Sequence, residues 1–166
     1  MFACIDVHYQ CDHGRVACLT FDDWQSDAPH SEYTGLIEHI DEYIPGQFYK
    51  RELPCMLKIL KKVKESIEVL VIDGYVWLDG DRTPGLGAHL YSALQERVKI
   101  IGAAKTAFKG GLHAKKLYRG KSKRPLFITS AGMAAAEAAG NIQIMHGAHR
   151  IPTLLKLVDQ RCRMEG

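Results

Sequence analysis

A mixed α/β sheet flanked by helices is the fold class this sequence predicts, on three observations. Two short runs of strand-forming residues open the chain, joined by a polar segment, and read as an antiparallel hairpin. A wholly apolar run, Val69-Leu70-Val71-Ile72, ends in Asp73-Gly74, the pattern of a buried parallel strand with an acid at its carboxyl end. From there helical and strand-like segments alternate along the rest of the chain.

The hairpin strands run from Phe2 to Tyr9 and from Gly14 to Phe21, with Gln10-Cys11-Asp12-His13 between them. His30-Ser31-Glu32-Tyr33 reads as a third strand, and Gly35 to Asp41 fits either strand or loop. The Pro-Gly step in Tyr43-Ile44-Pro45-Gly46 marks a turn. Glu52-Leu53-Pro54 then opens a helix, because Met56, Leu57, Ile59, Leu60 and Val63 have helical spacing and proline suits a first turn; its end is expected near Ser66. Thr83-Pro84 starts a second helix through Leu86, Leu90, Ala93, Leu94 and Val98, and Lys99 to Ala103 returns as a strand. Lys109 to Arg124 is a basic loop or hairpin, Pro125 to Thr129 a strand, Met133 to Met145 an alanine-rich helix, and Pro152 to Arg163 a last helix.

One domain spanning residues 1–166 is expected, since a chain of this length buries roughly 70% of its unfolded surface in a single core. With 46% hydrophobic and 25% charged residues, disordered and fibrous classes are excluded. No segment approaches the roughly 20 consecutive apolar residues that cross a bilayer, and Met1 to Asp6 carries no secretory signal. A cytoplasmic protein with no membrane partner is expected, with a monomer as its simplest state. Five scattered cysteines (Cys4, Cys11, Cys18, Cys55, Cys162) include no C-x-x-C pair and read as reduced thiols, mostly core fillers.

The net charge of +3 conceals an asymmetry. Arg97 to Ala136 holds ten Lys or Arg and no Asp or Glu, which leaves twelve basic residues against all 19 acidic ones elsewhere. Such a basic stretch is either a solvated surface or the footprint of a polyanion, because cations displace counterions from phosphates.

Several acids lie in apolar surroundings, where a lone charge is costly. Asp6 sits within Ala3-Cys4-Ile5-Asp6-Val7, Asp73 ends a buried strand, Glu52 opens a helix, and Asp159 lies in the final, apolar and basic helix. Singly, each has an ordinary explanation as a cap, a turn former or a partner of the helix dipole. Together, carboxylates from two strands and two helices can converge at one end of a sheet and share divalent cations. Hard oxygen donors suit magnesium or manganese, which can activate water and stabilise a leaving oxygen in phosphodiester hydrolysis.

The same residues fall in ordered motifs. Ile5-Asp6-Val7-His8-Tyr9 comes first, then Tyr43-Ile44-Pro45-Gly46 leading to Arg51-Glu52-Leu53-Pro54, then Ile72-Asp73-Gly74. Gly85-Leu86-Gly87-Ala88-His89-Leu90, Ile101-Gly102-Ala103-Ala104-Lys105 and His149-Arg150-Ile151-Pro152 follow. In this order they resemble the endonuclease V family over nearly the whole chain. The resemblance implies a ribonuclease H-like fold and a magnesium-dependent cut at the second phosphodiester 3′ to inosine or deoxyinosine, with manganese able to substitute. Nucleic acid, DNA or RNA, is the implied partner.

On that resemblance Asp6, Glu52 and Asp73 match the catalytic, metal-holding acids, and Asp159 a late metal-site residue. Lys105 matches a lysine placed to meet the scissile phosphate or its water. Tyr43, Ile44, Pro45 and Gly46 match a wedge that parts the strands beside the lesion, while Gly74 and Gly102 would shape a tight pocket for the flipped base. The chain departs from the family after Asp73, where Gly74-Tyr75-Val76-Trp77-Leu78-Asp79-Gly80-Asp81-Arg82 lacks the usual second glycine and histidine. Asp79 or Asp81 then reads as a substitute contact or as solvated loop, Tyr75 and Trp77 as base-stacking or core residues, and His89 as a supporting residue near the metal. Two alternatives stay open: a nucleic-acid-binding protein of the same fold with impaired catalysis, and a ribonuclease H-like nuclease for branched or flapped substrates.

Overall fold

The computed structural model describes residues 1–11, 13–40, 42–109 and 111–164. Seven strands form one sheet: β1 (Phe2–Gln10), β2 (His13–Phe21), β3 (Ser31–Ile37), β4 (Val69–Ile72), β5 (Lys99–Ala104), β6 (Lys115–Leu117) and β7 (Leu126–Ala131). Among the described residues, four helices complete it: α1 (Phe48–Leu60), α2 (Leu86–Ala93), α3 (Ala135–Ile144) and α4 (Thr153–Arg163). The strand order is β3-β2-β1-β4-β5-β7-β6, with β1, β4 and β5 parallel and the remaining pairings antiparallel. This is the mixed sheet flanked by helices that the sequence predicts.

Side-chain alternation builds two apolar layers from the central strands. Cys4, Val69, Val71, Ile101 and Ala103 face α3 and α4, where Ala138, Ile142, Leu154 and Val158 cover them. Ala3, Ile5, Leu70, Ile72 and Ile100 face α1 and α2, against Met56, Ile59, Leu86 and Leu90. All four residues of β4 are buried, which is why that strand reads as one unbroken apolar run. Burying each Leu or Ile there contributes roughly 2 kcal/mol, enough to offset the ordering of its backbone at about 1–2 kcal/mol per residue.

Several boundaries differ from the sequence reading for local reasons. The amide of Gln47 donates to the Ile44 carbonyl, and Gly46 at φ 78° completes the turn, so the chain has already reversed when α1 begins at Phe48. Glu52 therefore lies in the second turn of α1, and Pro54 lies inside the helix. Burial of Cys55, Met56 and Ile59 outweighs the cost of a proline there, about 3 kcal/mol. The helix ends at Leu60 and not near Ser66, because the amides of Lys62 and Val63 bond to carbonyls three residues back and tighten the last turn. Left-handed backbone at Gln95 and Glu96 stops α2 before Val98. Among the described residues, the third strand extends from Ser31 to Ile37, so part of the ambiguous Gly35 to Asp41 segment is strand; Asp41 itself lies outside them, as does Asp12 of the hairpin turn.

The basic stretch divides between structure and surface. Arg119 is only 3% exposed, and its guanidinium donates to the carbonyls of His149, Met145 and Gly147 at 2.5, 2.6 and 3.1 Å, clamping the segment that leads into α4. Cys4, Cys18, Cys55 and Cys162 are buried free thiols, as expected of core fillers, whereas Cys11 is exposed. Among the described residues, no helix is long and apolar enough to cross a membrane.

Replacing Arg119 with Met leaves the carbonyls of Met145, Gly147 and His149 without the charged donor that had satisfied them, the first of them buried. The expected loss is about 3 kcal/mol, read as a fall in Tm of about 10 °C by calorimetry, with Lys a poor substitute because it lacks the planar fork. A change below about 2 °C would contradict this role for Arg119.

Candidate active site

The step in length between β1 and β4 creates the site. In the parallel register Ile5 pairs with Ile72, and β4 then stops while β1 runs on to Gln10. Asp6 and Asp73 therefore stand side by side at the end of β4. Glu52 reaches this end from α1 on one face of the sheet, and Asp159 from α4 on the other. All four acids line one cleft of about 450 Å³, with Lys105 from the residue after β5. Beneath Asp6 and Asp73 lies a small cavity walled mainly by Ile5, Val71, Ile72, Leu155 and Val158. This largely apolar floor leaves Asp6 with little polar surround from below.

The electrostatics follow from that crowding. Burial, the charge of Asp73 and that of Asp159 together push Asp6 from 3.8 up to about 7, although its own Oδ1 accepts the amide of Val7 at 2.9 Å. Glu52 is 7% exposed and has no hydrogen-bond or ion-pair partner among the described residues. Burial, followed by the charges of Asp6 and Asp73, moves it from 4.5 up to about 9. The Lys105 Nζ lies 2.9 Å from Asp73 Oδ2. Burial disfavours its charge, but the bond and charge of Asp73 prevail and its pKa rises, so it stays an ammonium. Asp159 Oδ1 accepts from Arg163 Nε at 2.9 Å, one helical turn on.

The donor set fits a hard divalent cation. Four carboxyl groups line one cleft, and Glu52 is buried there with only the charge of Arg51 favouring its ionised form, so a charge on it would cost several kcal/mol. Donor atoms of Asp6, Asp159 and Cys162 lie within 4.8 Å of one another, within the span of one ion. The sequence reading missed Cys162 beside the acids. Its spacing of three from Asp159 on one helix face was the available signal.

The expected substrate residues separate by position. Tyr43 and Ile44 are 57% and 48% exposed at the turn before α1, with Pro45 and Gly46 also exposed, and Phe48 continues this apolar tip into the cleft wall. Gly74 lines the cleft with φ 137°, a backbone that other residues rarely adopt, and a side chain there would enter open space. Gly102 does not line it. A Cβ at Gly102 would sit 2.5 Å from the Gly74 carbonyl oxygen, so this glycine acts by letting the Gly74 loop close over β5.

The loop after Asp73 is tied down. Tyr75 Oη donates to the Thr106 carbonyl at 2.6 Å and accepts the Phe108 amide at 3.1 Å, joining two walls of the cleft. The Val76 amide donates to Thr129 Oγ1, and Trp77 Nε1 to the Ser130 carbonyl. Asp79 is occupied by Thr83 and the Asp81 amide. Neither Asp79 nor Asp81 lines the cleft, and His89 stacks on Tyr49 with 3.7 Å between ring centroids. Arg150, in the late motif, donates to the carbonyls of Lys105 and Pro125 and so braces the lysine's backbone.

With this geometry in view, comparison with known proteins gives a consistent picture. A sequence model described as Endonuclease V matches residues 1–159. The chain is 32% identical over 107 residues to Endonuclease V of Ignicoccus hospitalis, covering 64% of this chain and 48% of that protein. It thus matches about half the length of such curated relatives. The crystal structure of Endonuclease V from Bacillus subtilis superposes with a TM-score of 0.80 at 19% identity, covering 96% of this chain and 77% of that one. Endonuclease V of Ciona intestinalis, solved with a 24mer DNA containing an inosine followed by a ribo-adenosine, gives a TM-score of 0.80 at 17% identity, covering 98% and 84%.

The raised carboxyls have a testable consequence. Between roughly pH 4, where the unfolded acids titrate, and about pH 9, the folded protein holds more protons than the unfolded one, so metal-free stability falls as pH rises through that window. A divalent cation bound there would take the place of those protons. The rise in Tm produced by millimolar magnesium or manganese is expected to be larger at pH 8.5 than at pH 6; an equal or smaller rise would show that the acids do not share an ion.

Proposed function

The chain belongs to the endonuclease V family, and from that premise we propose that it is a metal-dependent endonuclease that cuts a phosphodiester 3′ to inosine or deoxyinosine in nucleic acid. The observation that carries this reading is the convergence of Asp6, Glu52, Asp73, Asp159 and Lys105 on one cleft. The acids and the lysine that the chemistry calls on line one cleft, which supports a nuclease over an impaired binding protein despite the altered loop after Asp73.

Asp6 and Asp73 would hold the metal, with Glu52 and Asp159 completing the cluster. Magnesium, or manganese in its place, suits these oxygen donors and when bound supplies an activated water and charge for the leaving oxygen. Lys105 is kept charged by Asp73 and lies where its ammonium can steady the scissile phosphate as negative charge builds on it. The carboxylates are preorganised by the sheet end and need little rearrangement during reaction.

The inosine preference rests on two elements near the acids. The exposed Tyr43-Ile44-Pro45-Gly46 tip offers apolar bulk to fill the gap left by an unstacked base, which costs a few kcal/mol and least at a mismatch or in a single strand. Gly74 presents main chain, and not a side chain, to the cleft, leaving room for a flat base edge. Support for this substrate also comes from the inosine-containing DNA bound by the Ciona intestinalis protein. The nucleic acid, the metal and a repair or turnover role are parts of the same proposal.

Purified protein with magnesium is expected to nick an oligonucleotide with one deoxyinosine or inosine at a defined position on its 3′ side and to spare the adenosine control. Asp73→Asn should abolish nicking, and Lys105→Met should lower kcat by about 10²–10³-fold with little change in KM. Equal cleavage of flap, junction and control substrates would point instead to a branched-structure nuclease. Full activity in Asp73→Asn would remove the mechanism.

A further inference from the structure

The cleft continues past the carboxylates. Lys105 and Asp159 also line a second groove of about 400 Å³, whose other walls include Arg124, His149, Arg150 and Lys156. Four cations thus face one carboxylate, and Arg163 already engages that carboxylate at 2.9 Å. Arg124 and Lys156 are exposed, and their side chains have no hydrogen-bond or ion-pair partner among the described residues.

Rigidity makes this crowding informative. Isolated surface cations swing apart in water, but Arg150 is bonded to the carbonyls of Lys105 and Pro125, and Arg119 holds the segment from Met145 to Arg150. Arg150 is destabilised as a cation first by burial and then by the charge of Arg124. With Lys105 paired to Asp73 and Asp159 already engaged by Arg163, the groove keeps an excess of positive charge around the anchored Arg150, and an anionic chain relieves that repulsion. The groove joins the carboxylate cleft at Lys105 itself, so a chain lying in it runs directly into the reacting centre.

We propose that this groove holds the sugar–phosphate backbone of the strand being cut, with Arg124 and Lys156 on phosphates next to the one that meets Lys105. The assignment rests on the nuclease reading above and adds to it the path of the flanking strand. Arg119, though part of the same basic stretch, takes no share, because its guanidinium is spent on carbonyls.

Fluorescence anisotropy with a labelled single-stranded oligonucleotide carrying one deoxyinosine tests this, in EDTA so that no cut occurs, over a series of KCl concentrations. Arg124→Gln with Lys156→Gln is expected to reduce the slope of log affinity against log salt by about 1.4, the share of two single-strand phosphates at about 0.7 each, and to weaken binding about tenfold at low salt. Lys99→Gln, a loss of one charge at the opposite end of β5, should change neither. Shortening the oligonucleotide on one side of the deoxyinosine should erase the difference between wild type and double variant, and shortening the other side should not. If wild type binds and cuts but the double variant matches it in slope and affinity, the groove assignment is overturned while the nuclease reading stands. If wild type neither binds nor cuts, the nuclease reading fails and the groove assignment with it.

Discussion

Four carboxylates crowded at the end of β4, over an apolar floor, repel one another, and the arrangement around them answers that repulsion. Asp6 and Asp73 are neighbours because β1 outruns β4 in a parallel register that backbone hydrogen bonds dictate. Glu52 and Asp159 are added from helices on opposite faces. Protons can relieve the crowding, as the raised Asp6 and Glu52 show, and Lys105 relieves part of it at Asp73. A divalent cation would relieve it more completely, because one ion accepts several oxygens at once.

Such a cluster holds its shape only if its supports cannot relax. The parallel core of β1, β4 and β5 provides the base, and three polar devices stiffen the rim. Tyr75 joins the loops on either side of the cleft, Arg150 fixes the backbone of Lys105, and Arg119 fixes the approach to α4 and hence to Asp159. Close approach of main chain at Gly102 lets the Gly74 loop seat against β5, so a residue outside the cleft sets the shape of its wall. The exposed apolar tip before α1 and the basic groove beyond Lys105 extend this centre in two directions, one suited to a base and the other to a backbone.

Much of this was legible in the sequence because it depends on short-range pattern. Alternation and the unbroken Val69–Ile72 run located β1, β2 and β4, and with them Asp6 and Asp73. Glu52 is legible as a suspicious acid, but its helix begins four residues earlier than the apolar spacing indicates, because Pro54 suits a first turn in sequence yet lies inside the helix, and the Pro45-Gly46 step marks the turn without marking that α1 follows it directly. What stayed hidden depends on residues distant along the chain. Nothing local distinguishes Arg119, buried among carbonyls some 26–31 positions away, from Arg124, exposed in the groove. The same holds for the loop from Tyr75 to Pro84, where Asp79 and Asp81 read either as a substitute contact or as solvated loop. Gly80 to Pro84 are exposed, Asp79 is held by Thr83, Tyr75 bonds to the Thr106 and Phe108 backbone, and Trp77 bonds to Ser130 of β7.

The central claim is that Asp6, Glu52, Asp73 and Asp159 share a divalent cation, and a crystal of the protein soaked in manganese tests it most directly through the metal's anomalous signal. The account predicts at least one ion within about 2.0–2.3 Å of oxygens from both Asp6 and Asp73, with Glu52 or Asp159 turned toward it. Carboxylates that keep their places with no ion among them, or an ion held elsewhere in the molecule, would contradict it.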